Sequence, residues 1–390
     1  MGEIRAVARL CDGLEARRVF PEGDRRDNAT VRIRISTSIR FGKSFRCRLP
    51  TCARILSASV LVHLFAAAGA AAAPAAVQKQ VVFDQYSALA GNAELIDRLF
   101  RPLLARRMRE KLAASGQGTD GQSIDLAHEY FAVYVPADAP ASGKFGLLVW
   151  ISPFDPAGIP KMWLPVLDKH AMIVVTAADS GNAANVYSRR IPLAMLGYAN
   201  VTKAYPIDPA RTYVGGLSGG SRVALRVALA FPDVFHGALL NAGSDSFGSA
   251  ALPPPKPDLF RQFEEGTRLV YATGSRDEEN LARDGHSRES ARDLCFTDLR
   301  TEEMRGRGHD WIDAATLDRA LSDLSAPRVT DAGLAACRER RTREIDAQLH
   351  EIEALLAAGK KQEAEDRLQR LDERYGGLAA PRSVELEDKL

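Results

Sequence analysis

Five residues, Gly216-Leu217-Ser218-Gly219-Gly220, constrain this chain more than any others. They follow an apolar run at 212–215 and precede a helix-patterned stretch over 221–230. A bare G-x-S-x-G match is weak, but between a strand and a helix it describes a sharp turn that projects a serine hydroxyl. Side chains at the flanking positions would collide with neighbouring backbone, and glycine at 216 and 220 removes them. The serine then stands at a helix N-terminus, whose unpaired amides and positive dipole end favour a developing negative charge.

The surrounding pattern supplies the sheet that such a turn needs. Short apolar runs at 129–135, 145–151, 171–176, 237–241 and 268–273 alternate with helix-length segments, and 299–304 reads as a last strand. Strands that are apolar along their whole length are buried on both faces, which predicts a mostly parallel sheet covered by helices on each side, the α/β class. Sites in such sheets lie at the carboxyl ends of the strands.

A neutral serine is a poor nucleophile and needs a base, and the base needs an acid to fix its tautomer. After a serine elbow the chain order is acid, then histidine. Asp277 follows the 268–273 strand through Gly274-Ser275-Arg276, and His309 follows the last strand in Gly306-Arg307-Gly308-His309. Glu278, Glu279 and Asp284 are rival acids, otherwise solvated loop charges; His286, on a polar loop segment, is the rival base. His170 and His236 precede the acid and read as structural. The Gly219 amide is one expected oxyanion donor. A second should come from Ser152-Pro153-Phe154 after the strand ending at 151; Pro153 has no N–H, so Ser152 or Phe154 supplies it, Phe154 being favoured by position. Asp155, Asn182, Asn185 and Trp311 can line the cleft but read as ordinary loop or core residues, outside the catalytic set. Nothing suggests a metal or an organic cofactor.

Residues 125–325 resemble a secreted α/β-hydrolase serine esterase, close in pattern to polyhydroxybutyrate depolymerases and feruloyl esterases. The resemblance rests on Tyr134-Val-Pro136, Ile207-Asp-Pro-Ala-Arg-Thr-Tyr-Val-Gly-Gly-Leu-Ser218, Phe231-Pro-Asp-Val-Phe235, Thr273-Gly-Ser-Arg-Asp277 and Gly308-His309. It implies an α/β-hydrolase fold, the triad Ser218, Asp277 and His309, and no cofactor. The chain departs from the family in having Ser152-Pro153-Phe154 where His-Gly is usual.

Five segments are expected. Residues 1–54 form a basic, unstructured leader, with 13 Arg and Lys against 6 Asp and Glu; of the overall +2 this leaves −5 on the remaining chain. A mildly acidic body with no basic stripe argues against nucleic-acid partners. The apolar stretch 55–73, after a basic segment and ending in small residues, reads as the core of a signal peptide over 55–75, cleaved after Ala72 or Ala75. An uncleaved membrane anchor and a buried helix are its rivals, since about 19 apolar residues just span a bilayer. A polar leader before a signal peptide suggests a mis-assigned start, although no methionine lies between it and Met108. Residues 76–124 form an N-terminal helical segment, with helix over 86–114; 125–328 are the catalytic domain. Residues 329–390 form a helical hairpin broken at Gly359, read either as a cap on the body or as a protein-contact surface.

Cys295 and Cys337 are the two cysteines beyond the leader, an even pair that in an exported chain predicts one disulfide. The expected function is therefore an exported serine hydrolase acting on small or oligomeric acyl esters. A serine peptidase on the same triad and a non-catalytic hydrolase-like scaffold are the rivals.

Overall fold

The computed structural model describes residues 76–115, 121, 124–138, 140–328 and 331–390. The expected leader and signal segment, 1–54 and 55–75, lie outside the described residues. The strands are β1 (Gln78–Val81), β2 (Phe131–Tyr134), β3 (Phe145–Ile151), β4 (Met172–Ala177), β5 (Ile207–Leu217), β6 (Gly237–Asn241), β7 (Arg268–Gly274) and β8 (Leu299–Met304). They form one sheet in the order β1-β2-β4-β3-β5-β6-β7-β8. The two strands at the β1 edge run antiparallel and every pairing from β4 to β8 is parallel. This is the α/β-hydrolase fold, and the order of its strands reverses at β3, so the loops leaving β3 and β5 part on either side of a cleft.

Alternate residues of each central strand enter two separate cores. Leu147, Val149 and Ile151 face one, with Ile173 and Val175 beside them. Leu148 and Trp150 face the other, with Met172 and Val174. Helices α1 (Asn92–Leu99), α2 (Pro102–Ala114), α4 (Ile191–Ala204), α5 (Gly219–Ala230) and α6 (Pro257–Gly266) lie on the first side, where Leu196, Val223, Val227 and Phe263 are buried. Helices α3 (Leu164–Lys169) and α8 (Ala314–Ser325) cover the second through Leu167, Leu317 and Leu321. Burying both faces explains why these strands carry no polar alternation.

The N-terminal segment is less uniformly helical than its pattern suggests. It opens with β1, and its helix breaks between Leu99 and Pro102, because a residue before proline is driven extended; Arg101 has ψ 144°. Strand β5 begins at Ile207, earlier than its apolar stretch. The main correction concerns residues 278–293, where α7 (Glu278–Asp293) replaces the expected polar loop.

At the C-terminus α9 (Leu334–Ala357) and α10 (Lys361–Tyr375) are joined through Gly359 at φ +72°, and a short α11 (Arg382–Glu387) follows. Ile345, Leu349 and Ile352 of α9 and Leu368 and Leu371 of α10 bury into the first core, so the hairpin is packed on the body. Glu264 on α6 receives Arg338 and Arg341 of α9, each at 2.7 Å. The sulfurs of Cys295 and Cys337 are bonded, tying the end of α7 to the start of α9. No helix among the described residues is long and apolar enough to cross a membrane.

Candidate active site

Ser218 stands between β5 and α5 at φ +56°, ψ −119°, a conformation that L-residues rarely adopt. Packing holds it there. A Cβ on Gly216 would strike the Gly220 carbonyl, and one on Gly220 would strike the Ile151 carbonyl, so the glycines permit the crossing of β5, α5 and β3. The Ser218 amide donates to Asn241 O of β6 at 2.8 Å. Gly219 is the first residue of α5, so its N–H has no intrahelical acceptor.

Asp277 and His309 meet at the other side of β6. The Asp277 amide closes a turn onto Gly274 O at 2.9 Å. Gly274 itself admits the backbone of Arg307 and Gly308, which a side chain would displace. The Arg276 amide donates to Arg307 O at 2.9 Å and the Gly306 amide to Ser275 Oγ at 2.8 Å, joining the loops after β7 and β8. His309 Nδ1 lies 2.7 Å from Asp277 Oδ2. The carboxylate is 8% exposed and the imidazole 47%, so a buried acid orients a ring that solvent reaches. With Nδ1–H donating its hydrogen bond to Asp277, Nε2 is the ring nitrogen left to act as acceptor. No hydrogen bond joins Ser218 Oγ to His309; of the three residues, the structure puts two in contact and the third one strand away.

The rival groups are engaged elsewhere. Asp284 lies inside α7, 1% exposed, and accepts from Ser244 Oγ and Thr273 Oγ1, both at 2.5 Å. Burial pushes its carboxyl up to about 6. Glu279 pairs with Arg283, and Glu278 and His286 are exposed positions of the same helix. His170 Nε2 lies 2.6 Å from Asp318, and His236 lies at the foot of β6, where burial lowers its pKa.

Three supporting residues escaped sequence reasoning. Asn280 Nδ2 donates to both oxygens of Asp277, at 2.8 and 2.9 Å, and lies 3.0 Å from His309 Nδ1. Asn241, fully buried at the end of β6, donates to Ala272 O at 2.9 Å and Asp310 O at 3.3 Å and accepts from the Ile312 amide at 2.9 Å. It thereby anchors the segment that carries His309. Arg190, 3% exposed, donates to Ser180 O and Ser152 O at 2.9 Å and reaches Gly219 O at 3.5 Å. Burial, with Arg226 and Arg222 nearby, lowers its pKa to about 10, and its donors join the loops after β3 and β4 to the serine turn.

Phe154 behaves differently from expectation. Its amide donates to Ser152 Oγ at 2.9 Å, a local turn that removes this N–H from the cleft. Its ring is 52% exposed and stacks on Trp311 at 6.0 Å, which stacks in turn on Trp150 at 5.9 Å. Trp311 is thus a wall residue beside His309. Asn185 caps the turn at Val186–Arg190, accepting from the Tyr187 and Ser188 amides. Asp155 accepts from the Gly181 amide at 3.2 Å, and the Asn182 amide donates to Pro153 O at 2.9 Å, fastening the loop after β4 to the loop after β3. Among the described residues no group of three or more His, Cys, Asp and Glu is placed to hold a metal.

No protein-family model matches the chain, and no curated protein does. Solved structures do. A ferulic acid esterase shares 16% identity over 50% of this chain and 91% of its own, with a TM-score of 0.38. S-formylglutathione hydrolase FrmB from Staphylococcus aureus shares 13% over 50% and 92%, with a TM-score of 0.37. Est1E from Butyrivibrio proteoclasticus shares 14% over 51% and 95%, with a TM-score of 0.36.

Proposed function

We propose that this α/β-hydrolase-fold protein is a serine hydrolase that cleaves carboxylic esters through an acyl-enzyme, with Ser218 as nucleophile, His309 as base and Asp277 as its orienting acid. The observation that carries the reading is the 2.7 Å contact between Asp277 and His309 on the rim where Ser218 caps β5. His309 Nε2 takes the Ser218 proton as Oγ bonds to the ester carbon, and the carbonyl electron pair moves onto oxygen beside the Gly219 amide. The imidazolium then protonates the departing alkoxide, and water repeats the sequence to release the acid. The hydrogen bond between serine and base is commonly long in free enzymes and tightens with substrate bound.

The Phe154–Trp311 stack offers a flat apolar wall to one side of the ester. Export is part of the same reading. The basic segment and apolar stretch before residue 76 support it, and a disulfide persists in an oxidising compartment.

A panel of nitrophenyl acyl esters and peptide anilides, assayed on the protein from residue 76 onward, tests the proposal. Esters are expected to turn over and anilides not, and Ser218→Ala should lower kcat by about 10⁶-fold, the scale seen when a serine nucleophile is removed. Full activity in Ser218→Ala would refute the assignment. Preference for anilides would make the protein a peptidase, and inertness toward both classes a scaffold.

A further inference from the structure

The oxyanion site, on the reading just proposed, needs a second donor. Gly219 contributes one N–H, Pro153 has none, and the Phe154 amide is held by Ser152 Oγ at 2.9 Å. Two donors are the usual complement for the charge on the tetrahedral intermediate, so the Gly219 N–H needs a companion other than Pro153 or Phe154.

A polar side chain stands where the second is needed. Asn182 leaves β4 on a loop fixed to the β3 loop by its own amide, which donates to Pro153 O at 2.9 Å. Gly181 enforces this seat, because a Cβ there would overlap Asp155 Oδ1 at 2.5 Å and the Phe154 carbonyl carbon at 2.9 Å. The Asn182 carboxamide lies directly over Gly219: a Cβ on that glycine would land on its Oδ1, with Cγ at 2.8 Å and Nδ2 at 3.2 Å, and a half-turn of the carboxamide exchanges its oxygen and nitrogen ends. The side chain is exposed and makes no hydrogen bond among the described residues, unlike Asn185, Asn241 and Asn280. Its loop is stiff, since Arg190 binds Ser180 O and Ser152 O together.

We infer that the Asn182 side chain is the second oxyanion donor of this site, its Nδ2–H pointing with the Gly219 N–H at the oxygen that gains charge when Ser218 adds to an acyl carbon. The inference also explains the residue after the nucleophile. Glycine at 219 clears the space that the carboxamide fills, whereas a larger residue would push it away from the oxyanion. No proton moves to Asn182; it stabilises the charge that forms as Oγ bonds to carbon and is released when the carbonyl re-forms.

Steady-state kinetics of the wild type, Asn182→Ala and the isosteric Asn182→Asp on p-nitrophenyl acetate, with inhibition by an aryl trifluoromethyl ketone, form the test. In both variants kcat should fall about 10²–10³-fold, the scale for one lost oxyanion donor, while KM stays within about threefold. Affinity for the ketone, which binds as a charged hemiketal, should fall in parallel with kcat/KM, a response that a loosened loop would not produce. An Asn182→Ala enzyme whose kcat and ketone affinity remain within about threefold of wild type would overturn the assignment and leave the Ser218 reading intact. A wild type that neither turns over esters nor binds the ketone would overturn both.

Discussion

At the scale of single residues, the site is held by polar groups that are buried and nearly all satisfied. Asp284 is the most strained of them electrostatically. Burial raises its carboxyl from 3.8 to about 6, with Ser244 and Thr273 opposing that rise and Asp277 adding to it. A carboxyl whose folded pKa is raised contributes stability that is complete below the unfolded pKa and lost as pH rises through the folded one. Wild-type stability should therefore fall by roughly 3 kcal/mol between about pH 4 and pH 7 on account of this group. Asp284→Asn stays neutral, so its stability relative to wild type should improve over that interval; urea denaturation at both ends measures it. A constant difference between the two proteins would show that Asp284 is not taken up neutral. The residue legible from sequence was Ser218, because its steric demands are written in adjacent glycines. Asn182 was legible only as a cleft residue, since the role inferred for it depends on its packing over Gly219 and on the engaged Phe154 amide, neither of which sequence spacing reveals.

At the scale of elements, each chemical group sits at the end of a strand and each is fastened by the strand beside it. Asn241 does this for His309. Its three hydrogen bonds reach β7 and both residues 310 and 312. Replacing it with alanine leaves those backbone groups unpaired in a buried place, which should cost about 2–4 kcal/mol. The loosened loop should also lower kcat by roughly 10- to 100-fold with ester, because misplacing a base by about an ångström has that effect. Thermal melting together with steady-state kinetics checks both; unchanged kcat in a destabilised protein would separate Asn241 from the site. Strands β2 to β4, β6 and β7, and the 212–215 part of β5, were readable as apolar runs, and β8 only as a last strand after them. Helix α7 was not, and the reason is physical: the positions it buries are Asn280, Asp284, Ser287, Ser290 and Ala291. These recur at helical spacing but are mostly polar, so a search for hydrophobic periodicity passes over them. The same blindness hid Asn280, the side chain closest to the Asp277–His309 pair. Strand β1 is four residues, three of them exposed, and carries no pattern to find.

At the scale of the whole molecule, two cores flank one sheet and the chain's outer segments close over the larger. The N-terminal helices meet the C-terminal ones through Arg101 and Asp372 at 3.5 Å and through Arg106 and Arg107 against Asp388 and Glu387. The alternation of strand and helix announced the sheet, and the single apolar stripe on each hairpin helix is spent on the body. What no local pattern could state is that Ser218, Asp277 and His309, distant along the chain, follow the carboxyl ends of β5, β7 and β8 in one sheet. The most direct test of that claim is to treat the protein with a fluorophosphonate and locate the adduct by peptide mass spectrometry. One adduct is predicted, on Ser218, forming much more slowly in His309→Ala. An unlabelled wild type, an adduct confined to another serine, or an undiminished rate without His309 would contradict it.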